Sequence, residues 1–241
     1  MQHPPGSEVL IRGRLPNLAG KRVLDVGCGQ GGIGYMLRQC PGGLDAHLTG
    51  IELYEPYLDF VRRFHVYDDL IAGDVTDTSV DLALARFDVV LACEILEHIP
   101  RPAADRLLDR IEELAIDMVI VSTPNGPDLR PPIDGVDSEA HVSVWRVSDF
   151  RNRGYEVRGI GSRIHRSARQ NRLTMVAWHS LTPIAIKFPL IAGTIVAVKL
   201  MDHRTTTPAS AQAGFSILAP GDHQGIVTGE RCSAVHDHDA P

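Results

Sequence analysis

The chain predicts an α/β domain on an open, doubly wound, mostly parallel seven-stranded sheet, and three observations carry that reading. From residue 21 onward short apolar runs alternate with stretches of helical periodicity, the pattern of parallel strands joined by crossover helices. The run "FDVVLACEI" (87–95) is apolar almost without a break, as suits a strand covered on both faces. Directly after the first strand comes "GCGQGG" (27–32), a turn whose glycines let the backbone approach a ligand closely. In such sheets the ligand crevice lies beyond the carboxyl ends of the strands.

Taken in order, Val23–Val26 is the first strand, and "GIGYMLRQC" (32–40) places Ile33, Met36, Leu37 and Cys40 at helical spacing. "AHLTGIEL" (46–53) is the second strand, and "EPYLDFVRRF" (55–64) a helix expected to bury Leu58, Val61 and Phe64. "LIAGDV" (70–75) and 87–95 are the third and fourth strands. Pro100 and Pro102 then open a helix with Leu107, Leu108, Ile111 and Leu114 on one side. "DMVIVSTP" (117–124) is the fifth strand, followed by a Pro/Asp/Gly-rich loop (124–137), a short helix at "VSDFRNRG" and strands at "YEVRGIG" and "GTIVAVKLM". The domain therefore spans 1–201, with an insertion at about 163–192, and the small, polar residues of 202–241 predict a flexible tail.

Composition bounds the function. At 241 residues one large domain is the default, and 44% hydrophobic with 22% charged residues is ordinary for a soluble globular protein. A net charge of −6 gives no overall case for nucleic acid. Cys28, Cys40, Cys93 and Cys232 lack C-x-x-C spacing, and reduced thiols in a cytoplasmic protein are expected. No basic segment followed by an apolar run opens the chain, so no secretory signal is expected. The stretch 181–200 is long enough to cross a bilayer, but Lys187, Pro183, Pro189 and Gly193 read instead as a turn entering a buried strand.

The glycine loop fits two cofactors. Gly27, Gly29 and Gly32 satisfy the dinucleotide spacing, while Gly27, Gly29 and Gly31 satisfy that of a loop holding S-adenosylmethionine. Glu52, ending the second strand, can bind ribose hydroxyls in either case. Asp25 separates them. A carboxylate at the loop mouth opposes a pyrophosphate but suits a ligand carrying a sulfonium and an ammonium.

The segments "VLDVGCGQGGIG", "GIELYEPYLDFVR", "AGDV", "FDVVLACEILEHIP" and "VSTPN" resemble, in order and spacing, the class I S-adenosylmethionine-dependent methyltransferases over about residues 20–162. The E-x-x-E-H ending after the fourth strand is similar to that of quinone-biosynthesis O-methyltransferases. The resemblance implies a Rossmann-like methyltransferase fold with S-adenosyl-L-methionine as cofactor. It implies that Gly27, Gly29 and Gly31 contact the methionyl part, Glu52 the ribose, Asp74 the adenine, and Cys93 or Glu94 the cofactor by backbone. Cys28, Leu53 and Val75 complete that set, and Asp25 would sit near the ammonium.

Methyl transfer is an in-line displacement on a methyl carbon that the cofactor has already activated, so the protein mainly positions the partners. An acceptor hydroxyl still needs a base. His141 is preferred, since its ordinary acidity suits proton abstraction, and His98 is the second candidate. No metal is expected. Residues 151–172 hold seven arginines against one glutamate, a cluster that could hold an anionic substrate, and the apolar residues after it could meet lipid. The expected function is thus methyl transfer to a small-molecule acceptor, at oxygen first, including a lipid-like or phosphorylated one, with possible peripheral membrane contact through 163–193. The alternatives are a non-catalytic cofactor-binding protein or an NAD-dependent oxidoreductase. The sequence leaves the acceptor and the oligomeric state open.

Overall fold

The computed structural model describes residues 6–77, 86–132, 136–162 and 172–202, with backbone alone for 172–179. The tail beyond Asp202 and Arg163, Arg166 and Arg169 of the basic stretch lie outside the described residues.

Seven strands form one sheet: β1 (Arg22–Val26), β2 (His47–Glu52), β3 (Asp69–Ala72), β4 (Phe87–Cys93), β5 (Ala115–Pro124), β6 (Glu156–Ile160) and β7 (Thr194–Leu200). Their spatial order is β3-β2-β1-β4-β5-β7-β6. The pairs β3-β2, β2-β1, β1-β4 and β4-β5 are parallel, whereas β7 runs antiparallel to both β5 and β6. Strand order reverses between β1 and β4, which places the topological switch point at their carboxyl ends.

Alternation along the strands sorts side chains onto two faces. Leu24, Val26, Val90 and Ala92 join a core that includes Leu107, Leu108, Ile111 and Leu114 of α4 (Arg101–Leu114) and Trp145 and Phe150. Val23, Leu48, Val89 and Leu91 join the opposite core, with Ile33, Met36 and Leu37 of α2 (Gly32–Arg38) and Leu58 and Val61 of α3 (Glu55–Arg62). Period-2 strands and period-3.6 helices therefore meet as the sequence pattern requires. Phe64 is the exception. It lies beyond the end of α3 and is 61% exposed, because the helix stops at Arg62 before another buried turn can form.

Two further helices were not foreseen. The six residues of α1 (Ser7–Arg12) bury only Ser7 and Ile11, too short a pattern to read. The longer α6 (Arg172–Lys187) carries Pro183 in its interior and is apolar over most of its length, so no clean helical stripe marks it. Between them α5 (Val147–Arg151) is the short helix expected. No helix among the described residues is long and apolar enough to cross a membrane. The stretch tested as a span instead divides into the end of α6, a 3₁₀ turn at Pro189–Ile191 and strand β7.

Asn125 fastens that division to the sheet. It is buried just after β5, and its Nδ2 donates to Pro189 O and Ala192 O, both at 2.9 Å. Replacing it by alanine strips two carbonyls of a buried donor, so Asn125→Ala is expected to lower unfolding free energy by about 2–3 kcal/mol. Urea denaturation measures the loss, and amide exchange should localise it to residues 189–193.

Candidate functional site

The site starts at the end of β1. Gly27 has φ 72°, in the left-handed region, and a Cβ there would lie 2.2 Å from Ile95 Cδ1, so only glycine fits the turn. The N–H groups of Gly27 and Cys28 donate to Ile51 O at 2.9 and 3.0 Å, which ties the loop to β2. Glu52 completes the tie. Its Oε2 accepts from Gly29 N at 2.9 Å and its Oε1 from Tyr54 N at 2.8 Å. Each carboxylate oxygen retains a further acceptor direction, so Glu52 can brace the loop and still receive hydroxyl hydrogens.

Beside this loop opens a cavity of about 330 Å³, a size typical of small-ligand sites. Gly27, Glu52, Leu53, Asp74 and Val75 line one side, all expected from the sequence. Asp74 Oδ1 accepts from Thr76 N and Thr76 Oγ1 at 2.8 and 2.7 Å, which fixes the turn after β3. Ile95, Ile99, Pro100 and Ala103 add an apolar lining. Tyr57 and Glu139 also line it, and Tyr57 Oη donates to Glu139 Oε1 at 3.0 Å. Burial, then Glu139, push the Tyr57 phenol up to about 12, so it remains a donor.

Asp25 does not line the cavity. It lies beneath the loop at 2% exposure, on the same strand face as Val23, where alternation would place an apolar residue. Its Oδ2 accepts from Tyr67 Oη at 2.6 Å. Burial raises its pKa to about 7 and the nearby Glu52 charge adds to that, against the hydrogen bond from Tyr67. Cys28 and Cys93 are buried too, at 6% and 2%, with thiols pushed upward first by burial and then by Asp25. They stay neutral and contribute shape.

Beyond β4 the chain is strained. Glu94 has φ 53°, rare for a residue with a side chain. Two contacts hold it there: its N–H donates to Ser122 O at 2.8 Å, and its Oε1 accepts from Ser122 Oγ at 2.9 Å. That turn leads to the 3₁₀ segment Leu96–His98. His98 lines the cavity, and His141 sits edge-on behind it with ring centroids 4.7 Å apart. His98 Nδ1 lies 3.1 Å from Ala140 O, and His141 Nδ1 lies 2.9 Å from Asp128 O. Carbonyl oxygens only accept, so each Nδ1 carries a hydrogen. Burial, then His141, press His98 down to about 4, so it is neutral at physiological pH.

Donor atoms of Glu97, His98 and His141 lie within 4.8 Å of one another. Two imidazoles and a carboxylate are a donor set for a divalent transition ion. Sequence spacing did not show this, because His141 arrives from a loop 43 residues after His98. Tyr57, Ile95, Ile99, Ala103 and Glu139 were also missed, since residues that meet only in the folded wall carry no spacing signal. Of the two candidate bases, the second, His98, lines the cavity, whereas the preferred His141 is not among its lining residues and packs against the His98 ring. The remaining loop residues, Gly29 and Gly31, shape the turn, Gly31 as the cap of α2. In the basic stretch, Arg153 pairs with Asp109 and Glu112, and Arg158 with Glu156.

Comparison with known proteins agrees with this geometry. Residues 23–115 match the family model described as a methyltransferase domain. The chain is similar to the ubiquinone biosynthesis O-methyltransferase of Aromatoleum aromaticum, 42% identical over 95 residues, which is 38% of each chain. The enzyme of the same name from Thiobacillus denitrificans is 46% identical over 91 residues, 36% of this chain and 37% of its own. The chain thus spans well under half the length of the curated relatives it matches. In fold it is similar to a methyltransferase solved with the Haloferax volcanii methyltransferase activator, with TM-score 0.55, 17% identity, and 81% and 88% of the two chains covered. It is likewise similar to an S-adenosylmethionine-dependent methyltransferase from Archaeoglobus fulgidus, with TM-score 0.51, 16% identity, and 80% and 94% covered. Over residues 23–115 the chain is thus similar to methyltransferase domains, and its fold is the one seen in S-adenosylmethionine-dependent methyltransferases. The relatives it resembles in sequence include O-methyltransferases of ubiquinone biosynthesis.

Asp25 generates a prediction about stability. Its folded value of about 7 lies above the unfolded carboxylate value, so the folded protein holds the extra proton. Its contribution to stability is full below the unfolded value and is lost as pH rises through about 7. In thermal melts of the ligand-free protein, the gap between wild type and Asp25→Asn should move against wild type from pH 5 to pH 8.5. Taking the gap cancels the histidines, which titrate in both proteins.

Proposed function

We propose that this protein transfers the methyl group of S-adenosylmethionine to a small-molecule acceptor, at a hydroxyl oxygen. The observation that carries the reading is the pairing of a desolvated carboxylate, Asp25, with the glycine loop that borders the cavity. A cationic donor offsets that charge, whereas a pyrophosphate adds to it. In this reading Glu52 holds the ribose hydroxyls, Asp74 accepts from the adenine amino group, and the loop carries the methionyl part. Cys28, Gly29, Gly31, Leu53, Val75 and the backbone at Cys93 and Glu94 complete the contacts. The wall of Ile95, Ile99 and Ala103 then faces the acceptor side.

The acceptor hydroxyl must lose its proton as the oxygen attacks the methyl carbon and the sulfonium leaves as a neutral thioether. His98 Nε2 takes that proton, and His141 keeps the ring in place. A divalent ion held by Glu97, His98 and His141 is the second reading, favoured by their close approach. Such an ion supplies Lewis acidity that lets the hydroxyl ionise near neutral pH.

An acceptor with an apolar tail is supported by Ile184, Phe188, Leu190 and Ile191, which are 42–64% exposed around the end of α6. A soluble, cytoplasmic protein touching membrane at this edge, and not nucleic acid, is the matching placement.

Two measurements test the proposal. S-adenosylhomocysteine should raise the melting temperature and NAD should not, since a ligand stabilises only the state it binds. Glu52→Ala should weaken the first effect by roughly 10²-fold or more in affinity, the loss of two charge-assisted hydrogen bonds. Turnover of S-adenosylmethionine with phenolic acceptors bearing alkyl tails should fall by about 10²–10⁴-fold in His98→Gln. If added Mn²⁺ restores activity lost to a chelator, the ion-assisted reading is correct. Binding without turnover on any acceptor would mark a cofactor-binding protein.

A further inference from the structure

Tyr67 lies in the loop before β3, is 7% exposed, and touches three parts of the domain at once. Its Oη accepts from Gly34 N at 3.1 Å in the first turn of α2, and donates to Asp25 Oδ2 at 2.6 Å at the end of β1. Two glycines make room for the ring. A Cβ on Gly34 would lie 2.3 Å from Tyr67 Cζ, and one on Gly50 of β2 would lie 3.2 Å from Tyr67 Cδ1 and 3.0 Å from Cys28 Sγ. Gly34 is not in a left-handed conformation, so the ring, and not the backbone, excludes a larger residue.

The hydrogen bonds have a fixed direction. Gly34 N–H can only donate, so it occupies an acceptor site of the phenol and leaves the O–H for Asp25. Burial pushes the phenol's own pKa well above its ordinary value, so it holds its hydrogen throughout the working range. The titratable groups facing Asp25 are Tyr67, Cys28 beside the loop, Glu52 at the end of β2 and Cys93 at the end of β4, and none of them is a cation. Tyr67 is thus the group that favours the charged form of Asp25.

We propose that Tyr67 is a positioning residue of the methyl-donor site, holding the glycine loop to the end of β1 and keeping Asp25 ionised beneath the cationic part of the donor. The inference rests on the donor-site reading above and adds to it a residue that touches neither cofactor nor acceptor. Without the hydroxyl, Asp25 keeps its proton to higher pH, and a cationic ligand meets a neutral acid.

The test is the affinity for S-adenosylhomocysteine measured calorimetrically from pH 5.5 to 9 in wild type, Tyr67→Phe and Asp25→Asn. Wild-type affinity should fall as pH drops through a midpoint near neutrality. In Tyr67→Phe that midpoint should rise by about one pH unit, with binding about three- to tenfold weaker at pH 7 and converging on wild type by pH 9. Asp25→Asn should show no such midpoint. Replacement of Tyr67 by 3-fluorotyrosine keeps the shape and strengthens the donor, so it should lower the midpoint even if the phenylalanine variant does not fold. Uniform weakening across the pH range, or a midpoint that moves in neither variant, overturns the inference while the donor site stands. A wild-type protein that binds no S-adenosylhomocysteine at any pH overturns both.

Discussion

A buried acid with no cation beside it among the described residues governs this domain. Asp25 occupies an inward position of β1 among apolar side chains, and its hydrogen-bond donor is a neutral phenol. Burying a carboxylate in this way costs several kcal/mol unless opposite charge or strong donors compensate. The ligand-free fold compensates only in part, which leaves the acid near the middle of its titration at neutral pH. A ligand bringing positive charge to the loop supplies the rest. This makes cofactor choice a matter of electrostatics more than of glycine spacing, which both cofactor classes share.

The rest of the site follows from where the strands end. The reversal of strand order between β1 and β4 brings the glycine loop and the strained turn at Glu94 to the same edge of the sheet. From that edge Glu52 holds the loop from one side, and His98 approaches the cavity from the other. Strain at Glu94 persists because Ser122 holds both its backbone and its side chain, the kind of local cost usually met at functional sites. Of the two histidines, His98 lines the cavity, oriented by Ala140 O, and His141 packs against it in a T-shaped contact.

Much of this was legible in the residues. All seven strands could be read, β1, β4, β5 and β7 most plainly because they are largely buried apolar runs, and Leu107, Leu108, Ile111 and Leu114 mark α4 by their spacing. Gly27, Glu52, Leu53, Asp74, Val75 and His98 were expected at the ligand crevice and do line its cavity. What escaped the sequence is what depends on three-dimensional convergence. Tyr67 is a lone tyrosine in a loop until Gly34 and Gly50 are seen to clear its ring. His141 joins Glu97 and His98 across a long loop, which no local spacing announces. Asp25 was expected at the mouth of the loop and lies below it, because a strand's alternation continues through its last residues and turned this side chain into the core. Phe64 was assigned to a buried helix face on a period that the chain abandons after Arg62.

The most direct measurement of the charge argument is the number of protons exchanged when S-adenosylmethionine binds at pH 7. Calorimetric titration in two buffers of very different ionisation enthalpy reads that number without reference to catalysis. A donor whose positive charge drives Asp25 fully to its carboxylate should expel roughly half a proton per site, the fraction bound when pH equals the pKa. Zero exchange, or uptake of a proton, would contradict the account.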